Sequence, residues 1–188
     1  MTKKILLVIA STRPSRVGGH YASWFADRVR SDDRFEVEIA DLREMNLPMM
    51  NEERHPRFGD YRLEHTKAWA ATVRSADAVV FVMPEYNYAF TAPLKNAIDY
   101  LFAEWNAKPI GFVSYGGASG GLRAVNSLAP VMFALNMKPV HPLVAVPFAQ
   151  QYVKGGTLEL PDSFGETADG LLDALDKAIS PVEDHSQA

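Results

Sequence analysis

Residues Asp77 to Trp105 read DAVVFVMPEYNYAFTAPLKNAIDYLFAEW. The unbroken apolar run from Ala78 to Met83, rich in β-branched residues, suits a strand covered on both faces, as in the middle of a parallel sheet. The stretch from Pro84 to Pro93 that follows is aromatic and polar at once. A helix is predicted beyond it. Thr91 or Ala92 can cap that helix, Pro93 suits its first turn, and Leu94, Ile98, Leu101, Phe102 and Trp105 recur at helical spacing. A strand feeding a helix through flat side chains is how open α/β sheets build a planar-ligand site at their carboxyl edge.

Working outward, Lys4 to Ala10 predicts a first buried strand, and a helix follows with Tyr21, Trp24, Phe25 and Val29 on one face. Phe35 to Ile39 alternates, as an edge strand does. Asp41 to Gly59 reads as a long loop, and Tyr61 to Ser75 as a helix carrying Leu63, Ala70 and Val73, with Trp69 beside that stripe. Beyond the central stretch come a strand over Lys108–Ser114 and a helix over Leu122–Leu135, which Pro130 is expected to kink or divide. Lys138 to Val146 predicts a fifth strand, Gln150 to Asp162 a loop, Phe164 to Ile179 a last helix, and the residues from Pro181 a frayed polar tail. Strands alternating with helices predict an α/β fold, a three-layer sandwich around a five-stranded parallel sheet. Element lengths favour the flavodoxin-like strand order 2-1-3-4-5, with residues 1–180 as one domain.

The chain of 188 residues suits one domain with a substantial core. A net charge of −4 argues against a nucleic-acid partner and an anionic membrane surface, though not against an anionic ligand held by backbone. Cysteine is absent, which removes disulfides and thiolate chemistry together. No apolar run is long enough to span a membrane. The amino end passes into a strand-like run without a cleavage-site pattern, so a cytoplasmic protein is expected. His20, His55, His65, His141 and His185 show no metal-ligand spacing, and no metal is expected.

In a parallel sheet the loops after strands 1, 3 and 4 share one edge. The first, from Ser11 to Gly19, offers the hydroxyls of Ser11, Thr12 and Ser15, two guanidinium groups, and a helix amino end. Unpaired N–H groups and the helix dipole favour an anion there. The dipole contributes only about 0.3–1 kcal/mol when exposed, so Arg13 or Arg16 would supply the charge-assisted bonds. The pattern is neither GxxxxGK[ST] nor GxGxxG. The loop from Ser114 to Gly121 has four glycines in eight residues, which lets bare backbone approach a flat ligand. The plainer alternatives are a capped helix with solvent-facing arginines, and a stiff loop whose Tyr86, Tyr88 and Phe90 cover the sheet end. Phosphate plus a flat heterocycle makes a mononucleotide, and FMN fits the combination.

At these residues the chain resembles the NADPH-dependent FMN reductases of the flavodoxin-like superfamily, which include quinone, azo-dye and chromate reductases. The likeness spans about Lys4 to Val146 and rests on Ser11–Gly18, Pro84–Asn87 and Ser114–Gly117. It implies that Ser11, Arg13, Arg16, Val17 and Gly18, with Ser15 in the same loop, hold the FMN phosphate. Pro84, Glu85, Tyr86, Asn87 and Tyr88 would line the isoalloxazine, and Ser114, Tyr115, Gly116 and Gly117 would close over its other edge. Ala10 stands where many relatives have glycine, a difference of one methyl group.

By the same likeness, NADPH or NADH gives hydride to bound FMN. Two electrons then pass to a small-molecule acceptor (quinone, azo compound, metal oxyanion or free flavin) in ping-pong order. The flavin carries the redox chemistry, so no acid–base residue is assigned. Backbone N–H groups of Glu85–Tyr88 and Tyr115–Gly117 are the candidate ring donors, and Tyr88 or Phe90 the candidate stacking face. Glu85 is expected to fix its loop or meet a second subunit. Tyr100, Phe102 and Trp105 exceed what one helix stripe needs, which, with the habit of relatives, predicts a homodimer or a dimer of dimers. The rival reading is a flavodoxin-type electron carrier serving protein partners, which the modest net charge disfavours.

Overall fold

The computed structural model describes residues 2–179. In chain order its elements are β1 (Lys3–Ile9), α1 (Gly18–Arg30), β2 (Phe35–Asp41), α2 (Leu42–Met45), α3 (Glu64–Ser75), β3 (Ala78–Pro84), α4 (Ala92–Asp99), β4 (Pro109–Tyr115), α5 (Leu122–Ala134), β5 (Lys138–Pro139), β6 (Val144–Val146), β7 (Val153–Lys154), β8 (Thr157–Leu158) and α6 (Asp162–Ile179). The main sheet is parallel and ordered β2-β1-β3-β4-β5, with β6 also on β4. All of β3 and β4 is buried, as their unbroken apolar runs require. Side chains alternate across the pleat. Leu6, Val8, Val79, Phe81 and Phe112 join a core with α3, α4 and α5. Ile5, Leu7, Val80, Val82 and Val113 join a second core with α1 and α6. The expected flavodoxin-like sandwich is therefore the fold observed.

The departures have local causes. The fifth position is shared by two short strands, β5 beside Pro109–Ile110 and β6 beside Val113–Tyr115. Pro139 and Pro142 bring no N–H to the ladder between them. The stretch after β2 is not bare loop. Asp41 caps α2 by accepting from the Arg43 N–H at 3.0 Å, and Pro56–Phe58 forms a 3₁₀ turn. Trp69 is part of the buried face of α3, and its indole donates to the Ala97 carbonyl at 2.8 Å. Helix α4 stops at Asp99, and Trp105 belongs to a separate 3₁₀ turn, its indole donating to the Ile98 carbonyl at 3.0 Å. The helical spacing there continued across a bend.

Helix α5 runs undivided through Pro130. That residue lies on the exposed side, where water can replace the missing donor. The expected loop after residue 150 contains the hairpin β7–β8, whose Gly155 and Gly156 take φ of 56° and 84°, as a two-residue turn of this kind requires. The tail from Pro181 lies outside the described residues. Among those described, no helix is long and apolar enough to cross a membrane.

Candidate functional site

Strand β1 lies between β2 and β3, so the chain leaves β1 and β3 in opposite directions and opens a crevice at the carboxyl edge. A cleft of about 530 Å³ occupies it, within the range of small-molecule sites. Its walls are Ser11, Arg13, Ser15, Arg16 and Val17 after β1, Pro84 to Tyr86 after β3, and Tyr115 to Gly117 after β4. A fourth wall, Phe148 to Gln151, follows β6. The sequence reading missed it. Its signal was present, because a fifth parallel strand must also end at this edge, with an aromatic residue just beyond Pro147.

The amino end of α1 is open. Val17 precedes it without a side-chain capping bond, and the first turn has no acidic residue, so its N–H groups suit an anion. The two arginines differ. Arg16 forms a bidentate pair with Asp41 and donates to the Ser11 carbonyl at 2.7 Å. The hydrogen bond to Asp41 raises the guanidinium pKa further, against a smaller effect of burial. Arg13 is exposed, has a long 3.5 Å contact to the Ser15 hydroxyl, and sits 5.9 Å from the Tyr86 ring centroid. It is the guanidinium able to turn to a ligand.

Beneath this loop two buried hydroxyls converge. Ser11 Oγ and the Tyr115 phenol oxygen both lack a hydrogen-bond partner of good geometry. They are close enough that Ser11 opposes part of the rise that burial imposes on the Tyr115 pKa. Gly18 makes room for both, since a methyl group there would run into each oxygen. Gly18 thus lies behind the cleft wall rather than in it.

The loop after β3 is a tight turn. Tyr86 and Ala89 exchange backbone bonds of 2.9 and 3.0 Å, with Asn87 and Tyr88 at φ of 50° and 67°. Asparagine tolerates that conformation, whereas a bulky tyrosine is strained in it. Both residues stand at the exposed tip, outside the cleft. Phe90 packs against the first core, so Tyr86 is the aromatic of this loop that lines the cleft. The expected ring donors are partly committed. The N–H of Glu85 goes to Tyr115, that of Tyr86 to Ala89 and that of Gly116 to Val146. Asn87 and Tyr88 lie outside the cleft, so of the expected loop donors beyond the strand ends Gly117 is left as the candidate.

Glu85 fixes the loop. Its carboxylate accepts from the Ser119 hydroxyl at 2.5 Å and from the Arg123 backbone and side chain at 3.2 Å each. Arg123 also lies 4.3 Å over the Tyr88 ring, tying the second loop to the start of α5. Burial pushes the Glu85 carboxyl up, but Ser119 and Arg123 outweigh it and hold the group below its ordinary value of 4.5. A depressed folded-state pKa stabilises the fold above the unfolded value, and that gain is lost as pH falls through the folded one. Glu85→Gln is therefore expected to lose about 1–2 kcal/mol at pH 7, with the gap to the parent closing below about pH 4. Urea denaturation across pH checks this; a gap that stays constant down to pH 3 contradicts it.

The four glycines of the third loop divide into two jobs. Gly120 and Gly121 take φ of 61° and 88° and form the turn into α5. Gly116 and Gly117 line the cleft and are held by the N–H groups of Ala149 and Phe148, each 3.0 Å from its carbonyl acceptor. Ser114 faces away from the cleft, its hydroxyl donating to the Gly120 carbonyl at 2.9 Å. Among the described residues no group of three or more His, Cys, Asp or Glu is placed to hold a metal.

The family model for NADPH-dependent FMN reductase matches residues 3–151. The NAD(P)H-dependent FMN reductase of Schizosaccharomyces pombe is 39% identical over 151 residues, covering 78% of this chain and 75% of its own. That of a Nectria species is 35% identical over 176 residues, covering 90% and 83%. Among solved structures, the flavoenzyme FerB, an NAD(P)H:(acceptor) oxidoreductase of Paracoccus denitrificans, superposes with a TM-score of 0.71 at 19% identity, covering 95% of this chain and 97% of its own.

Proposed function

Since the chain belongs to the NADPH-dependent FMN reductase family, and so is an oxidoreductase using FMN and NAD(P)H, we propose that the cleft is its flavin site. The phosphate would lie at the amino end of α1 and the ring between Pro84–Tyr86 and Gly116–Gly117. The observation that carries this placement is the pair of buried hydroxyls, Ser11 and Tyr115, which have at best each other as partners, beside an uncapped helix end. A bare helix end with orphaned donors is stabilised by an anionic acceptor.

When bound, FMN would supply the redox chemistry between NAD(P)H and a small acceptor. The chain's own residues bind and orient. Arg13 turns its guanidinium to the phosphate, while Arg16, tied to Asp41, keeps the loop in shape. Tyr86 and Pro84 form an apolar wall, and the free N–H of Gly117 faces the ring edge. Phe148 is 60% exposed at the mouth, where an aromatic face favours flat conjugated acceptors such as quinones and azo compounds. In this reading the donor and the acceptor use this same cleft in turn, which is a ping-pong order.

Residues 1–180 act in this reading as one FMN-binding domain of a cytoplasmic homodimer. The exposed Phe102 and Phe133 near α4 and α5 would meet the second copy; the mass of a single chain by light scattering would remove that assignment. The test of function is the visible spectrum of the protein with FMN, before and after anaerobic NADPH, followed by initial rates with a quinone. Bleaching and parallel double-reciprocal lines are expected. A flavin-loaded protein that consumes no NAD(P)H would instead be an electron carrier.

A further inference from the structure

We infer that Tyr115, reaching across from β4, reads the phosphomonoester end of the flavin, so that its hydroxyl helps distinguish FMN from riboflavin. The inference rests on the placement of FMN in this cleft.

Sequence position puts Tyr115 in the loop expected to close over the ring. Its side chain goes elsewhere. Strand parity places it with Val113 on the α1 face of the sheet. Its ring stacks on Tyr21 of α1 with centroids 4.8 Å apart and planes at 10°. The residue is 4% exposed, and this stack fixes where the hydroxyl can be. The hydroxyl arrives under the phosphate loop, beside Ser11 Oγ and the bare face of Gly18, the first residue of α1.

Other buried hydroxyls at this sheet edge have partners. Tyr21 donates to the Ala149 carbonyl at 2.9 Å, Thr91 to the Ala10 carbonyl at 2.8 Å, and Ser114 to the Gly120 carbonyl at 2.9 Å. The Ser11 and Tyr115 hydroxyls have only each other within reach, without good geometry; at most one can donate to the other, so one buried proton is left without an acceptor, which is destabilising. Arg16 cannot relieve them, since it only donates and is already engaged by Asp41. The missing component is an acceptor with several lone pairs, as a phosphate has and the terminal alcohol of riboflavin matches poorly. Burial raises the Tyr115 pKa, which keeps its hydroxyl a donor.

Tyr115→Phe keeps the ring and its stack and removes only the oxygen. Dissociation constants for FMN and riboflavin are measured by flavin fluorescence on parent and variant. FMN affinity is expected to fall about 10-fold or more, with riboflavin affinity within about twofold. Inorganic phosphate should raise the melting temperature of the flavin-free parent more than that of the variant. An unchanged FMN-to-riboflavin preference in Tyr115→Phe overturns the inference while leaving the flavin site standing. A parent that binds neither flavin and does not respond to phosphate overturns the site itself. Should Tyr115→Phe fail to fold by circular dichroism, Gly18→Ala, whose methyl displaces both hydroxyls, must show the same selective loss.

Discussion

Gly121→Ala is expected to lower the unfolding free energy by about 3 kcal/mol and to abolish tight FMN binding. Gly121 precedes α5 at φ 88°, in the left-handed region where a side chain costs roughly 1–2 kcal/mol. A Cβ there would stand 2.8 Å from Ser114 Cβ and 2.8 Å from the Tyr115 backbone nitrogen. Neither neighbour can yield, because both belong to the central strand β4, and forced overpacking costs about 1–3 kcal/mol more. Any relief moves Tyr115, and with it the floor of the cleft. Gly117→Ala is the control. It lies in the same loop and in the cleft wall, yet a Cβ there meets nothing within 4 Å, so its stability should stay within about 0.5 kcal/mol of the parent. Urea denaturation and flavin titration of both variants decide the matter. Equal stabilities would mean that the loop is pliant and that its glycines serve no turn.

These two glycines show how far the sequence could be read. Apolar runs such as Ala78–Met83 and Ile110–Val113 announce buried parallel strands, because only strands covered on both faces lack polar alternation. Once those strands are in place, the loops at their carboxyl ends form a site by topology alone. Which way a side chain turns at a strand end is set by pleat parity, so Ser114 and Tyr115, adjacent in sequence, part to opposite faces. The parity was available in the sequence; the register needed to use it was not. The Arg16–Asp41 pair spans 25 positions and depends on the β1–β2 register, which pairs Ile9 with Asp41. No local pattern shows it. The division of the fifth strand and the hairpin near residue 155 were obscured for another reason. Their proline and glycine residues read equally well as loop.

That hidden ion pair leads to opposite outcomes for two arginines in one loop. Arg13→Ala is expected to weaken FMN binding by about 10–100-fold, the worth of a hydrogen bond to a charged group, while leaving the melting temperature of the flavin-free protein unchanged. Arg13 is exposed and its contacts are a long one to Ser15 and a loose one to Tyr86, so the fold loses little. Arg16→Ala should do the reverse in kind. It strips Asp41, a carboxylate only 18% exposed, of both its guanidinium bonds, and removes the donor to the Ser11 carbonyl. Breaking a partly buried pair by removing one partner leaves an uncompensated charge, and a loss of about 2–3 kcal/mol of stability is expected. The accompanying loss of FMN affinity would come from the loosened loop. Asp41→Asn in the Arg16→Ala background removes that stranded charge while the amide oxygen can still accept from the Arg43 N–H, so it should restore part of the stability. Affinity should stay low, because the loop remains unheld. If Arg16→Ala instead loses affinity with full stability, and Arg13→Ala changes neither, the charge facing the phosphate is Arg16 and the pair with Asp41 opens on binding.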